Sequence, residues 1–197
     1  ARQLTHHQAI DLTVAINGYD DGASTGEVRR FLGDSLGPSD FRKNASRLAT
    51  ELSTAPAELV ALLDGRLPVG CDAQGARAAI AVAKRGDHPW TVAVSRYLEA
   101  FEEALERSGR PFDFSDCSLG NLVFAGAFLS AGHNFNRAVA DYCALLQLPP
   151  GLVENVTDGT NAYLVAVDTA GRLLASEEEV VDAKRQNRIA DIYLIGR

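Results

Sequence analysis

Asp20 and Asp21 stand side by side at the head of a stretch reading DDGASTG, residues 20–26. Two adjacent carboxylates at a strand end are hard oxygen donors of the kind that hold magnesium. The amides and hydroxyls of Gly22, Ser24, Thr25 and Gly26 can donate to phosphate oxygens, helped by the positive end of the helix they open. Arg29 lies about one helical turn past Gly26 and can point back to the same anion as a two-pronged donor. Asp, Gly and Ser are also the ordinary residues of a solvated turn, so residue types alone leave both readings open. The loop is neither a Walker A loop nor a Rossmann fingerprint, because glycine spacing and lysine are wrong for both.

Two further constellations carry the same kind of chemistry. In Ser39-Asp40-Phe41-Arg42-Lys43, Asp40 reads as the N-cap of a helix. Arg42 and Lys43 then fall in its first turn, where cations oppose the helix dipole and need an anionic partner. In Ser118-Leu119-Gly120-Asn121, Ser118 is an adequate N-cap. Gly120 weakens the first turn unless a ligand or another backbone comes close. Asn121 enters an apolar helix and must find a partner, either a ligand or a neighbouring loop. His6, His7 and His133 lack a second ligand at metal-site spacing, and no local Cys-His pair marks Cys117 as a nucleophile.

The elements that must position these residues follow from the pattern. Residues 12–16, LTVAI, read as a buried strand; 17–27 as a polar, glycine-bearing loop; and VRRFL, 28–32, as a helical turn. Helices are expected from Asp40, from Pro56 to a stop at Gly65, over 72–86, and from Pro89 to Arg107. The stretch 118–132 is apolar nearly all round, which predicts a helix buried on most faces; Asn134 caps the next. The last quarter turns to strands, with Ala170-Gly171 turning a hairpin, and Glu177-Glu178-Glu179 opens a solvated helix.

The chain has 197 residues, is 46% hydrophobic and 23% charged, and carries a net charge of −7. That composition excludes disordered and fibrous classes, and the acidic balance argues against nucleic-acid binding. No apolar run approaches the roughly 20 residues of a membrane span. The opening stretch lacks a signal-peptide core, and three cysteines without a CxxC pair fit a reducing cytoplasm. Methionine is absent, even at position 1, which reads as a processed piece or part of something longer.

Taken together, DDGASTGEVR (20–29), GPSDFRK (37–43) and FDFSDCSLGNLVFAGAFL (112–129) resemble the superfamily that unites 2-phospho-L-lactate transferase with the bacterial gluconeogenesis factor. The resemblance implies an α/β fold: a doubly wound, mostly parallel sheet with helices on both faces. It implies one domain over 1–197, incomplete at both ends, with a helical insertion over 53–112 and a β-hairpin near the C-terminal end. The transferase moves a phospholactyl group from a guanosine diphosphate ester to a deazaflavin alcohol with magnesium. The gluconeogenesis-factor branch is associated with nucleotide-sugar binding, carbon-source use and cell shape, and its signatures are the nearer match.

Carried over by motif, Asp20 and Asp21 are the metal-binding and catalytic carboxylates. Gly22, Ser24, Thr25, Gly26 and Arg29 line the phosphates, with Asp40 and Arg42 as the pair before the next helix. Ser118, Gly120 and Asn121 contact the ligand from the opposite side. The implied partners are Mg2+ and a nucleotide diphosphate ligand, a UDP-sugar or a guanosine diphosphate ester. No nucleic acid and no membrane are expected, and a homo-oligomer is. Ala23 stands where the family has a second glycine, and GPSDFRK replaces a Pro-Gly-Asp-Leu-Arg pattern.

Overall fold

The computed structural model describes residues 11–20, 22–175, 177–186 and 188–196. The β-branched run at the start becomes β1 (Val14–Ile16), and the loop after it gives way to α1 (Ala23–Phe31). This helix begins earlier than the glycines suggest. The Asp20 carboxylate takes the Gly22 N–H (3.0 Å), a local turn that leads into Gly22, the N-cap position, where no side chain caps the helix.

Next come α2 (Ser39–Leu52), α3 (Ala57–Asp64), α4 (Ala73–Ala83) and α5 (Pro89–Ser108). Pro56 and Gly65 flank α3, and Asp72 caps α4 by accepting from Gly75 N at 2.8 Å. The stripe Val94, Tyr97, Leu98 and Phe101 buries one face of α5. The helix stops where Gly109 takes φ +60, a left-handed cap that costs glycine nothing.

Residues 118–134 give α6 (Leu119–Ser130) and then α7 (Phe135–Leu145), capped by Ser118 and Asn134 through the N–H groups of Asn121 and Arg137. Gly120 to Phe128 of α6 are all buried, as an all-round apolar helix requires. α5 lies so close that a methyl on Gly126 would collide with the Tyr97 backbone.

The chain closes with β2 (Val153–Asn155), β3 (Ala162–Asp168), β4 (Leu173–Leu174), α8 (Glu177–Arg185) and β5 (Ile189–Gly196). β1 and β2 pair in parallel, Val14 opposite Val153 and Ile16 opposite Asn155. β4, β3 and β5 form a separate antiparallel sheet in that order, Ala166 facing Leu174 on one side and Ile192 on the other. The architecture is mixed α/β. Its main core runs from Ile16 to Val153 and includes residues of α1 to α7; a smaller one (Ala166, Leu174, Val180, Ala183) lies between α8 and its sheet. No helix among the described residues is long and apolar enough to cross a membrane.

Candidate functional site

The first turns of three helices meet. Thr25 of α1 shares a short hydrogen bond between hydroxyls with Ser39, the first residue of α2. Ser24, one residue earlier, accepts from the Asn121 amide in the first turn of α6 at 3.4 Å. Such polar groups are tolerated near an apolar core because they satisfy each other. Within the described residues, Thr25 N and Gly26 N close on the Gly22 carbonyl, which leaves the Ala23 and Ser24 amides as open donors.

From Asn121 a polar line runs deeper. Its side-chain oxygen accepts from Arg42 Nε (3.2 Å), and Arg42 Nη1 pairs with Asp64 Oδ1 (2.6 Å), which also accepts from the Ser46 hydroxyl (3.1 Å). Arg42 is 4% exposed and Asp64 46%, so the cation is enclosed and its counter-charge is half in water. The anionic partner that Arg42 needs at the start of α2 is therefore a carboxylate of this chain. Tyr142 of α7 ends beside this line, buried, its hydroxyl without a hydrogen-bond partner among the described residues and its acidity suppressed by burial.

The loop 17–22 is held from behind. Arg29 is buried and donates to the carbonyls of Tyr19 (2.8 Å), Asp20 (3.1 Å) and Ser35 (2.9 Å), and to Asn161 Oδ1 (2.7 Å). A fifth, longer contact reaches the Ala162 carbonyl (3.5 Å), which matches all five guanidinium donors to protein acceptors. Gly37 N donates to Gly18 O (2.6 Å), and side chains at either glycine would strike the opposite loop. On the α6 side, Arg66 forks onto Asp116 with two 2.6 Å bonds, and Leu67 N and Leu119 N bind the carbonyls of Cys117 and Gly65. Hydrogen bonding from Arg66 holds the Asp116 carboxyl below the usual carboxylate range. Burial pushes the neighbouring Cys117 thiol up to about 12, which disarms it as a nucleophile.

Among the residues singled out from the sequence, Ser24, Thr25, Arg42, Ser118 and Asn121 are buried in this one network, with Asp20 and Gly22 at its outer edge. Gly26 is buried within α1. Asp21 lies outside the described residues. Asp40 is not an N-cap: the helix starts at Ser39 behind Pro38, which puts Asp40 inside the first turn, half-exposed beside Lys43 (3.9 Å). Gly120 answers to packing, since a methyl there would sit 2.5 Å from Arg42 Cδ and from the Leu63 carbonyl oxygen. Sequence reasoning missed Asp64, Ser46, Tyr142 and Asn161. Asp64 alone left a trace, a carboxylate at the C-terminal end of a helix, where the dipole disfavours it.

Magnesium is commonly held by one or two carboxylates together with ligand phosphates. The Asp20 carboxylate, with Oδ2 in only a 3.5 Å contact with Thr25, fits the protein's share of such a shell. Among the described residues, no cluster of three His, Cys, Asp or Glu is present.

No family model matches the chain, and no curated protein does. Its fold is similar to the crystal structure of protein BH3568 from Bacillus halodurans, with a TM-score of 0.58 and 20% identity over 98% of this chain. The chain spans 45% of that protein, less than half its length. At this identity the likeness concerns the fold alone.

Proposed function

We propose that the meeting point of α1, α2 and α6 binds the diphosphate of a nucleotide diphosphate ester together with Mg2+, and transfers the phosphorus-linked group to an alcohol. The observation that carries this reading is the bonding of three helix starts through Ser24, Thr25, Ser39 and Asn121, with Arg42 beneath. Each helix start carries about half a positive charge, so three together favour an anion, while Asp64 balances the Arg42 guanidinium. The open amides of Ala23 and Ser24 supply donors to phosphate oxygens, and Asp20 is the carboxylate at the edge.

In this reaction the alcohol oxygen bonds to the phosphorus of the transferred group, the bond to the bridging oxygen breaks, and a nucleoside monophosphate leaves. Asp20 accepts the alcohol proton. Arg29 and Arg42 act by fixing the loop and the α6 start. Asp20 would hold Mg2+, which would supply charge compensation for the phosphate oxygens. The reading also includes a doubly wound sheet, to which the parallel β1–β2 pair would belong, and a homo-oligomer.

A second reading, a UDP-sugar-binding regulator without turnover, is favoured by one observation. Both buried arginines are already held by this chain's own acceptors, whereas transition-state charge is best met by donors left free for it. Melting shifts with UDP-glucose and GDP, with and without Mg2+, test binding. Product formation from a phospholactyl-guanosine donor and a deazaflavin alcohol singles out the enzyme. Asp20→Asn should abolish the Mg2+-dependent part of the shift and leave the melting temperature of the free chain nearly unchanged, because the amide oxygen can still cap Gly22. A ligand-independent loss of stability would make Asp20 a structural residue.

A further inference from the structure

A second cavity lies away from the helix starts, between α4, α5 and the segment 109–114. It encloses about 340 Å³, which is roughly eleven times the volume of a water molecule in the liquid. Its floor is aromatic and aliphatic, with four charged residues among the lining. Phe101 meets Phe112 edge-on (5.3 Å, 78°), Phe112 tilts against Phe114 (4.8 Å, 49°), and Ile80 and Leu105 complete the lining. Phe31 of α1 packs edge-on against both Phe101 (5.2 Å) and Phe112 (5.6 Å) from outside the cavity, bracing that wall.

The charges at its edge are unequal in their commitments. Glu102 is engaged by Lys84 at 3.0 Å. Arg77 on α4 and Arg110 after the Gly109 cap are both exposed, and neither has a carboxylate partner among the described residues. Among the described residues Glu106 is the one lining carboxylate without an ion-pair partner, so the lining carries two unmatched guanidinium groups against one acid. An apolar slot with few polar groups at its mouth is the usual make-up of a small-molecule site.

We infer that this cavity binds a small amphipathic monoanion: an aromatic or aliphatic body of about a dozen non-hydrogen atoms seated on the phenylalanines, with a single carboxylate between Arg77 and Arg110. The inference is independent of the nucleotide reading, since none of these residues belongs to the helix-start network.

The test titrates 4-phenylbutyrate into isotope-labelled protein and follows amide shifts, with 4-phenylbutan-1-ol as the uncharged body of the same shape. The expected result is saturable shifts confined to 73–80 and 101–114, with the carboxylate binding about tenfold more tightly than the alcohol. The exposed pair Arg77→Ala/Arg110→Ala should erase that preference while leaving the weak binding of the alcohol. Leu105→Trp, which fills the cavity, should remove both. Equal affinity for acid and alcohol, a preference that survives the double variant, shifts centred elsewhere, or no shift at millimolar ligand would each overturn the assignment.

Discussion

Replacing Gly120 by alanine sets two accounts of the α6 start against each other. A glycine in a helix costs about 0.5–1 kcal/mol relative to alanine, so a glycine kept for a ligand's approach should yield a more stable free protein when replaced. Packing gives the opposite sign. The new methyl would lie 2.5 Å from the Leu63 carbonyl oxygen, 2.5 Å from Arg42 Cδ and 2.9 Å from the Tyr142 hydroxyl. Ordinary contact lies at about 3.5 Å, so α3 and α6 must separate by roughly 1 Å. A side chain can swing aside, but a helix carbonyl moves only with its helix. Overpacking of this kind costs about 1–3 kcal/mol, and the rigid contact places it toward the upper end.

The net loss expected is about 2 kcal/mol, after subtracting the propensity gain. For a chain of this size that lowers the melting midpoint by about 4–8 °C. Circular dichroism melts, supported by urea titration with an unchanged slope, read it directly. A midpoint equal to or above the parent's would refute the close approach of α3 to α6.

Other outcomes follow from the same contacts. Arg42→Met should destabilise by about 1–3 kcal/mol because the Asn121 oxygen loses its donor inside the protein, while half-exposed Asp64 rehydrates at little cost; urea midpoints check it. Native-state alkylation at pH 8 followed by mass spectrometry should label Cys71 first, since burial raises Cys117 to about 12 and Cys143 to about 11. Asp116 has a lowered pKa, so its contribution to stability is complete above the ordinary carboxylate value of about 3.9 and is lost as pH falls through the folded value. Asp116→Asn should therefore flatten the acid end of the stability–pH curve and leave its shape near neutrality unchanged.

What the sequence made legible was local. The run 12–16 became β1, Pro89 opened α5, and Ser118 and Asn134 capped their helices, because each depends on residues within a few positions. The start of α1 was misplaced since it begins behind Gly22 with no side-chain cap, in a stretch whose glycines and serines look like loop. The N-cap of α2 was misplaced by two residues, Asp40 for Pro38, because Pro38 starts the helix without a side-chain cap. The long-range pairs left no periodic trace: Arg42 lies 22 positions from Asp64 and 79 from Asn121, and Arg29 lies 132 from Asn161. Even so, Arg42 at a helix start and Asp64 at a helix end are each wrong for their dipoles, and two complementary oddities are a pairing signal.

That pairing changes what a buried polar residue means here. Arg29 and Arg42 have the chemistry of phosphate clamps, yet their donors are turned to carbonyls and side chains of the same chain. Arg42 is balanced by Asp64, whereas the Arg29 acceptors are all neutral, so its charge still raises the potential around the loop because burial weakens screening. In the proposed reading, donation to an anion would fall to backbone amides, which sit where Arg29 fixes the 17–22 loop and where Asn121 ties α6 to α1. Amides held this way need no reorganisation on binding, and their placement depends on β3, since Asn161 and Ala162 carry part of the Arg29 grip. The antiparallel sheet, remote in sequence from the loop, is thereby part of what shapes it.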